Sequence, residues 1–366
     1  MRLVWGTVRS VITERPDAQR VHVSVDGESE AVAIAYPALA GRCEAGERVL
    51  LNTTAVDLGL GTGGVHLVVA RVPGSGAPAG VAFDDGSGGH VMKLRYTPLQ
   101  RDVLSVEAPE SPHAANVADV VDVGGMPVIC CGLHSQVALA AAALKEAAPE
   151  ARVAYCMTDQ AALPLALSEL VPALVSAGLL DATLTCGQAF GGQMEAVTLH
   201  SALVAARVVG GADATIVAIG PGVVGTGSAL GHGGVALGEA LNAGAAVGGT
   251  PVATLRVSFA DARERHRGVS HHTLTALSLI AVSPALVAVP RLPGEQSETM
   301  DRQLEAAGIW DRHERVEAGK GALPGLRGVD VRSMGRTPSQ DPAFFVAAAA
   351  AGYAAAARLT CRAGGR

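Results

Sequence analysis

Aromatic side chains are scarce in this 366-residue chain, at 3%, and charged ones make up only 17%. The first shortage leaves few platforms on which nucleic-acid bases could stack. The second comes with a net charge of −6, the wrong sign for a surface that must displace the counterions of a phosphate backbone. Lysine is nearly missing: Lys93, Lys145 and Lys320 are the only ones. There is no Gly-x-x-x-x-Gly-Lys-Ser/Thr loop and no Gly-x-Ser-x-Gly elbow, so neither the P-loop nor the α/β-hydrolase nucleophile is a starting point. The six cysteines, Cys43, Cys130, Cys131, Cys156, Cys186 and Cys361, form neither a disulfide frame nor a Cys-x-x-Cys zinc spacing. They fit buried, reduced positions.

A clean membrane span is lacking too. The longest charge-free apolar run, Gly268 to Pro290, is interrupted by His271, His272 and Pro284. The Ala-rich stretch Phe344 to Ala357 falls short of the ~20 residues that a spanning helix takes. The opening MRLVWGTVRS carries no long apolar segment of the secretory kind. The expectation is a cytoplasmic protein with a small-molecule ligand and neither membrane nor nucleic acid as partner. The low-charge Ala-rich segment needs covering, which points to a homo-oligomer.

What the chain has in quantity is core and glycine: 49% hydrophobic residues and 45 glycines. Its first part reads as β structure. Leu3–Ile12, Arg20–Asp26, Ala31–Tyr36, Arg48–Ala55 and His66–Val72 are short and Val-rich, and turn signals separate them. Val21, Val23 and Val25 alternate with His22 and Ser24, the period of a half-buried strand. Five such strands predict a small barrel or sandwich over residues 1–107, with 73–89 as linker chemistry and His90–Glu107 as a further strand and connection.

Over residues 108–366 the pattern changes. Apolar runs at Met126–Cys131, Arg152–Met157, Ala182–Cys186, Ala214–Ile219, Pro251–Val257 and Ala285–Val289 alternate with helical periodicities. Val137, Ala140, Ala141 and Leu144 share one helix face; so do Leu199, Ala202, Leu203 and Ala206, and Met300, Leu304 and Ala307. Doubly buried strands joined by helices predict an α/β domain with a doubly wound, mostly parallel, Rossmann-like sheet. Ligands of such sheets bind beyond the carboxyl ends of the strands.

The segments at those ends are where polar, glycine and histidine residues gather. His134 follows the first run and Asp159 the second. The fourth run opens onto GPGVVGTGSALGHGG, seven glycines in fifteen residues, from which Gly220, Gly222, Gly225, Thr226, Gly227, His232 and Gly233 are candidate ligand contacts. Unobstructed peptide amides suit a phosphate or another anion. Gly220-Pro221-Gly222-Val223-Val224-Gly225 also fits Gly-x-Gly-x-x-Gly, but the dinucleotide fingerprint should pass directly into a helix. The fifth run is followed by Asp261, Arg263, Arg265, His266, Arg267, His271 and His272. Ser270 is a candidate N-cap that puts His271 and His272 in a first helical turn. Arg263, Arg265 and Arg267 are candidate anion clamps; His134, Asp159, Asp261, His266, His271 and His272 are candidate acid–base groups.

Taken together, the strings LGLGTGGVH, HVMKLRYTPLQ, CGLHSQ, MTDQAALP, CGQAFGGQMEAV, GPGVVGTGSALGHGG and RVSFADARERHRGVSHHTLTAL resemble the bacterial family catalogued as domain of unknown function 3866. The resemblance spans both domains and assigns no catalytic residue. It suggests that Lys93, Arg95 and the loop Gly61–Gly64 share a cleft with the α/β edge. The leading expectation is an enzyme acting on a phosphorylated or nucleotide-like small molecule. The rivals are a metal-dependent hydrolase using His and Asp ligands, a non-catalytic sensor or assembly protein, and an NAD(P)-dependent oxidoreductase. A divalent metal or a nucleotide is the cofactor these readings allow.

Overall fold

The computed structural model describes residues 2–26, 30–59, 64–72, 89–97 and 99–363. Gly27 of the expected Asp26-Gly27 turn, Gly61–Gly63 of the expected cleft loop, most of the expected linker (73–88) and the side chain of Cys361 lie outside the described residues. The chain forms two compact units, Met1–Val103 and Leu104–Arg366.

The first unit is a closed barrel. Its strands β1 (Leu3–Glu14), β2 (Gln19–Val25), β3 (Glu30–Ala35), β4 (Arg48–Asn52) and β5 (His66–Val72) run in the order β1-β2-β3-β5-β4, and β4 pairs back onto β1. Only β3 and β5 are parallel, which matches the topology of OB-type barrels. Val21, Val23 and Val25 all point inward with Val8, Val49 and Leu51, as their alternation predicts. Gly6 is required where β1 crosses β2, since a Cβ there would sit 2.9 Å from the Ser24 carbonyl. Short helical turns α1 (Pro37–Ala40) and α2 (Thr54–Asp57) join strands, and the unit ends in an antiparallel pair, β6 (Val91–Lys93) and β7 (Arg101–Val103).

The second unit begins with a helical turn, α3 (Ala114–Val117), and holds an eight-stranded sheet, parallel at every pairing. Its strands are β8 (Pro127–Cys131), β9 (Val153–Thr158), β10 (Ala182–Thr185), β11 (Met194–Glu195), β12 (Ala214–Ile219), β13 (Thr250–Thr254), β16 (Leu286–Pro290) and β17 (Glu314–Ala318). A two-residue pair, β14 (Val257–Ser258) with β15 (Gly268–Val269), lies between β13 and β16 in the chain. The sheet order is β11-β10-β9-β12-β8-β13-β16-β17. The six predicted apolar runs are six of these strands. Each is buried on both faces: Ile129 and Cys131 enter one hydrophobic layer, Val128 and Cys130 the other.

The first layer is built with α4 (Val137–Ala147), α5 (Leu170–Ser176) and α10 (Pro342–Ala363). The second is built with α6 (Leu199–Val208), α7 (Ala236–Ala246) and α9 (Gly294–Ala306). By length and composition α10 could cross a membrane, but 72% of its most apolar window is buried inside this fold. It packs on α4 and on β16, so the cover that the Ala-rich stretch needs comes from the chain itself. That removes the packing reason for a homo-oligomer.

The winding places the crevice. β8 leads into α4 on one face, whereas its sheet neighbours β12 and β13 lead to α7 and to the turn 276–280 on the other. Adjacent strands whose connections leave on opposite faces open a crevice at their carboxyl ends, and that is where α/β sheets take ligands.

Candidate functional site

Two segments meet beyond β12 and β13. The first carries His232, at the end of the glycine-rich loop. The second carries His266 in a 3-10 turn (Glu264–His266) and then His271 and His272 at the start of α8 (His271–Thr275). The Ser270 hydroxyl accepts the His272 amide and so caps this helix, as predicted. The same hydroxyl lies 2.8 Å from His266 Nδ1. A π-helical turn, Ala276–Ile280, continues α8; such turns recur at functional sites. Ser270→Ala is expected to cost about 1 kcal/mol in a urea titration, the worth of an N-cap, and to free His266.

Four imidazoles result from this convergence. His232 stacks on His272 with ring centroids 3.9 Å apart, and His271 lies 4.4 Å from His272 and 5.2 Å from His232. His266 stands 5.0 Å from both His271 and His272. His232, His266 and His272 are buried, and His271 is half-buried. Burial, reinforced by Arg256, pushes His266 down to about 3. Burial likewise takes His272 to about 2, helped by His232 and Arg256. His232 and His271 move the same way, again chiefly through burial. All four are therefore neutral at pH 7.

Behind the rings lies a charge network built on the buried Arg256, Asp261 and Asp341. Arg256 Nη1 is 3.5 Å from His272 Nδ1, and its Nη2 is 3.7 Å from Asp261. Arg263 grips Asp261 with two guanidinium hydrogen bonds, of 2.9 and 2.8 Å. Arg336 lies 3.5 Å from the same carboxylate and donates to Asp341 at 3.1 Å, where Ser258 also donates. Arg263 holds Asp261 far below the usual carboxylate range. Burial lowers Arg256 to about 10, which still leaves it charged. Three guanidinium groups against two carboxylates make the network net positive.

The glycine-rich loop differs from an open anion cradle. Residues 224–231 are exposed, and the loop closes on itself. Thr226 N donates to Gly231 O, Gly231 N to Ser228 Oγ, and Gly233 N to Val224 O. Several amides are thus already used. The segment stays a loop until a 3-10 turn at Gly233–Val235, so the Gly-x-Gly-x-x-Gly string lacks the helix that a dinucleotide site needs. Gly225 instead roofs the cluster: a Cβ there would be 3.5 Å from His272 Cε1. Gly220 is glycine because the Ala162 carbonyl would lie 2.4 Å from its Cβ. Gly222 has φ +87; Gly227 is exposed.

The other expected site residues have partners of their own or lie outside the imidazole contacts of the second unit. His134 bonds Tyr155 at one nitrogen (3.1 Å) and Ser168 at the other (2.7 Å), and burial lowers it to about 4. Both of its nitrogens are committed to the core. Asp159 accepts the Gln188 amide at 2.8 Å and borders a cavity of about 340 Å³ with Thr158, His200 and Glu239. Arg265 is exposed but near enough to His271 to oppose its protonation. Arg267 lines a separate cavity with Glu264 and Gln303. Lys93 is buried and Arg95 exposed in the first unit.

Arg256, Ser258, Arg336 and Asp341 are the components that sequence reasoning missed. Arg256 had a local signal, a lone cation two residues past the end of a doubly buried strand. Arg336 and Asp341 come from a segment about 80 residues downstream and had none.

A family model described as "Protein of unknown function (DUF3866)" matches residues 32–352. No curated protein and no solved structure matches the chain.

Proposed function

The chain belongs to the DUF3866 family, and we propose that it is an enzyme acting on a phosphorylated or nucleotide-like small molecule, with its reacting centre at His232, His266, His271, His272 and Arg256. One observation carries this reading: a buried guanidinium stands beside a cluster of four imidazoles at the switch point of a parallel sheet. An anion placed there meets the positive charge of Arg256 and imidazole N–H groups in a partly buried setting, which strengthens both interactions. His232 donates Nε2–H to the Ala229 carbonyl at 2.9 Å, so its Nδ1 is left as an acceptor for a hydroxyl or a water. Gly225 and the loop behind it close over the group.

The test is thermal unfolding of the full chain with orthophosphate, pyrophosphate, nucleoside monophosphates and sugar phosphates. A ligand at 100 times its Kd should add about 2.7 kcal/mol, a rise of about 5 °C or more for a domain of this size. Arg256→Met should remove that rise and weaken the ligand by about 100-fold, the usual cost of removing a buried charged partner. No stabilisation by any of these anions would defeat the proposal. Stabilisation with no turnover of the bound compound would favour the sensor reading.

A further inference from the structure

We infer that His232, His271 and His272 hold one divalent transition-metal ion of zinc-like ligand preference, with a coordination position left for an anion. The inference deepens the proposed function, on which it relies only for the nature of that anion.

Each of the three residues offers one nitrogen, and these atoms lie within 4.8 Å of one another. Around a tetrahedral ion with bonds of about 2.1 Å the nitrogens would stand about 3.4 Å apart, so the rings must close inward by about 1 Å. The two carriers are a five-residue helix and the end of an exposed loop.

Two imidazole nitrogens of this trio have no partner. His232 Nδ1 and His271 Nε2 are buried and make no hydrogen bond. A buried polar nitrogen left unpaired is costly, and it calls for an occupant. For His232 the opposite nitrogen donates to a backbone carbonyl, the outer bond that fixes tautomer and ring orientation in metal-bound histidines. Space is kept on that side as well: a Cβ on Gly234 would lie 3.0 Å from His232 Nδ1 and 2.7 Å from His272 Cβ. Three imidazoles without a thiolate suit zinc, copper, nickel or iron rather than magnesium or calcium, and a three-histidine set leaves a position open.

Charge then selects the remaining ligand. Neutral imidazoles leave the ion its full positive charge, and Arg256 adds another beside His272. Asp261 offsets part of the Arg256 charge, but the network stays net positive, so an anion is the ligand that balances the ion. Arg256 also competes with the ion, because its Nη1 approaches His272 Nδ1. It should therefore oppose the metal alone while favouring the metal together with an anion.

The full chain, stripped with a chelator and dialysed, is titrated with ZnCl₂ by calorimetry and with CoCl₂ by visible absorption. One ion per chain and a tetrahedral-type cobalt band are expected. His232→Ala and His271→Gln should each weaken zinc by about 100-fold or more, whereas His22→Gln, on an exposed barrel position, should not. Arg256→Met should bind zinc about tenfold more tightly, since a like charge is removed. Circular dichroism checks folding, and His271→Gln at a half-buried position serves if His232→Ala does not fold. Absence of zinc binding, or equal affinity in wild type and both histidine variants, overturns the site. If phosphate stabilisation through Arg256 persists in that case, the proposed function stands; zinc binding without any effect of anions would overturn that function and leave the metal site.

Discussion

Asp261→Ala should cost about 3–5 kcal/mol of stability, the range for breaking a buried ion pair from one side. The Asp261 side chain is only 3% exposed, and the guanidinium groups of Arg256, Arg263 and Arg336 converge on it. Asp341 still pairs Arg336 in the variant. Arg256, at 6% exposure, loses the carboxylate at 3.7 Å and is left charged among imidazoles. Asp261→Asn preserves the volume and some hydrogen bonding, so it separates loss of charge from loss of packing. A urea titration at pH 7 measures both, and a cost below about 1 kcal/mol for the alanine variant would show that the network carries little stability.

The same carboxylate gives a pH dependence with a definite sign. Its folded pKa is depressed, first by hydrogen bonds from Arg263. Its stabilisation is therefore fully present above the unfolded value of about 3.9 and is lost as pH falls from there through the depressed folded value. Wild type should lose stability over that acid interval more steeply than Asp261→Asn, which has no proton to take up there. Equal slopes would contradict the assignment.

The architecture was legible because burial on two faces leaves an unmistakable mark. Ala214–Ile219 and His66–Val72 are strands over just the residues that their apolar content suggested. β17 escaped notice because Glu314, Arg315 and Glu317 interrupt it; it is one of the two outer strands, where charge protects an open edge. The Ser270 cap and the nearness of His271 to His272 were local facts, and local facts can be read.

The composition of the site was harder to read. His134, Asp159, His232 and His271 all follow apolar runs, and nothing in the chain gives the lateral order of those strands. The order puts β12 and β13 on either side of β8, so His232 meets the histidines that follow β13. Asp159, at the end of β9, borders another cavity. His134 looks like His232 in sequence. The difference is that Tyr155 and Ser168 occupy both of its nitrogens, contacts that arise only from tertiary packing. Glycine content likewise advertised free amides in 220–234, whereas the hydroxyls of Thr226 and Ser228 turn the loop in on itself.

Gly352→Ala should destabilise the protein by about 2–3 kcal/mol, although alanine is the better helix former by about 1 kcal/mol. Gly352 lies within α10, and a Cβ there would meet the Ala140 carbonyl of α4 at 2.1 Å, Ala143 Cβ at 2.8 Å and Leu144 N at 2.9 Å. Two of these three atoms are backbone, so no rotamer change relieves the overlap; the helices must part. Parting is expensive because α10 also rests on β16, β13 and β8, and Ala348, Ala350 and Ala351 are buried in the same layer. Gly294→Ala provides the opposite case: it opens α9 with nothing within 4 Å of its Cβ position, and there the propensity gain should appear undiminished. Opposite signs for the two substitutions in urea titrations would show that close approach of α4 and α10, rather than helix propensity, fixes glycine at 352. Two gains of similar size would mean that the interface yields, and the first hydrophobic layer would then owe little to that contact.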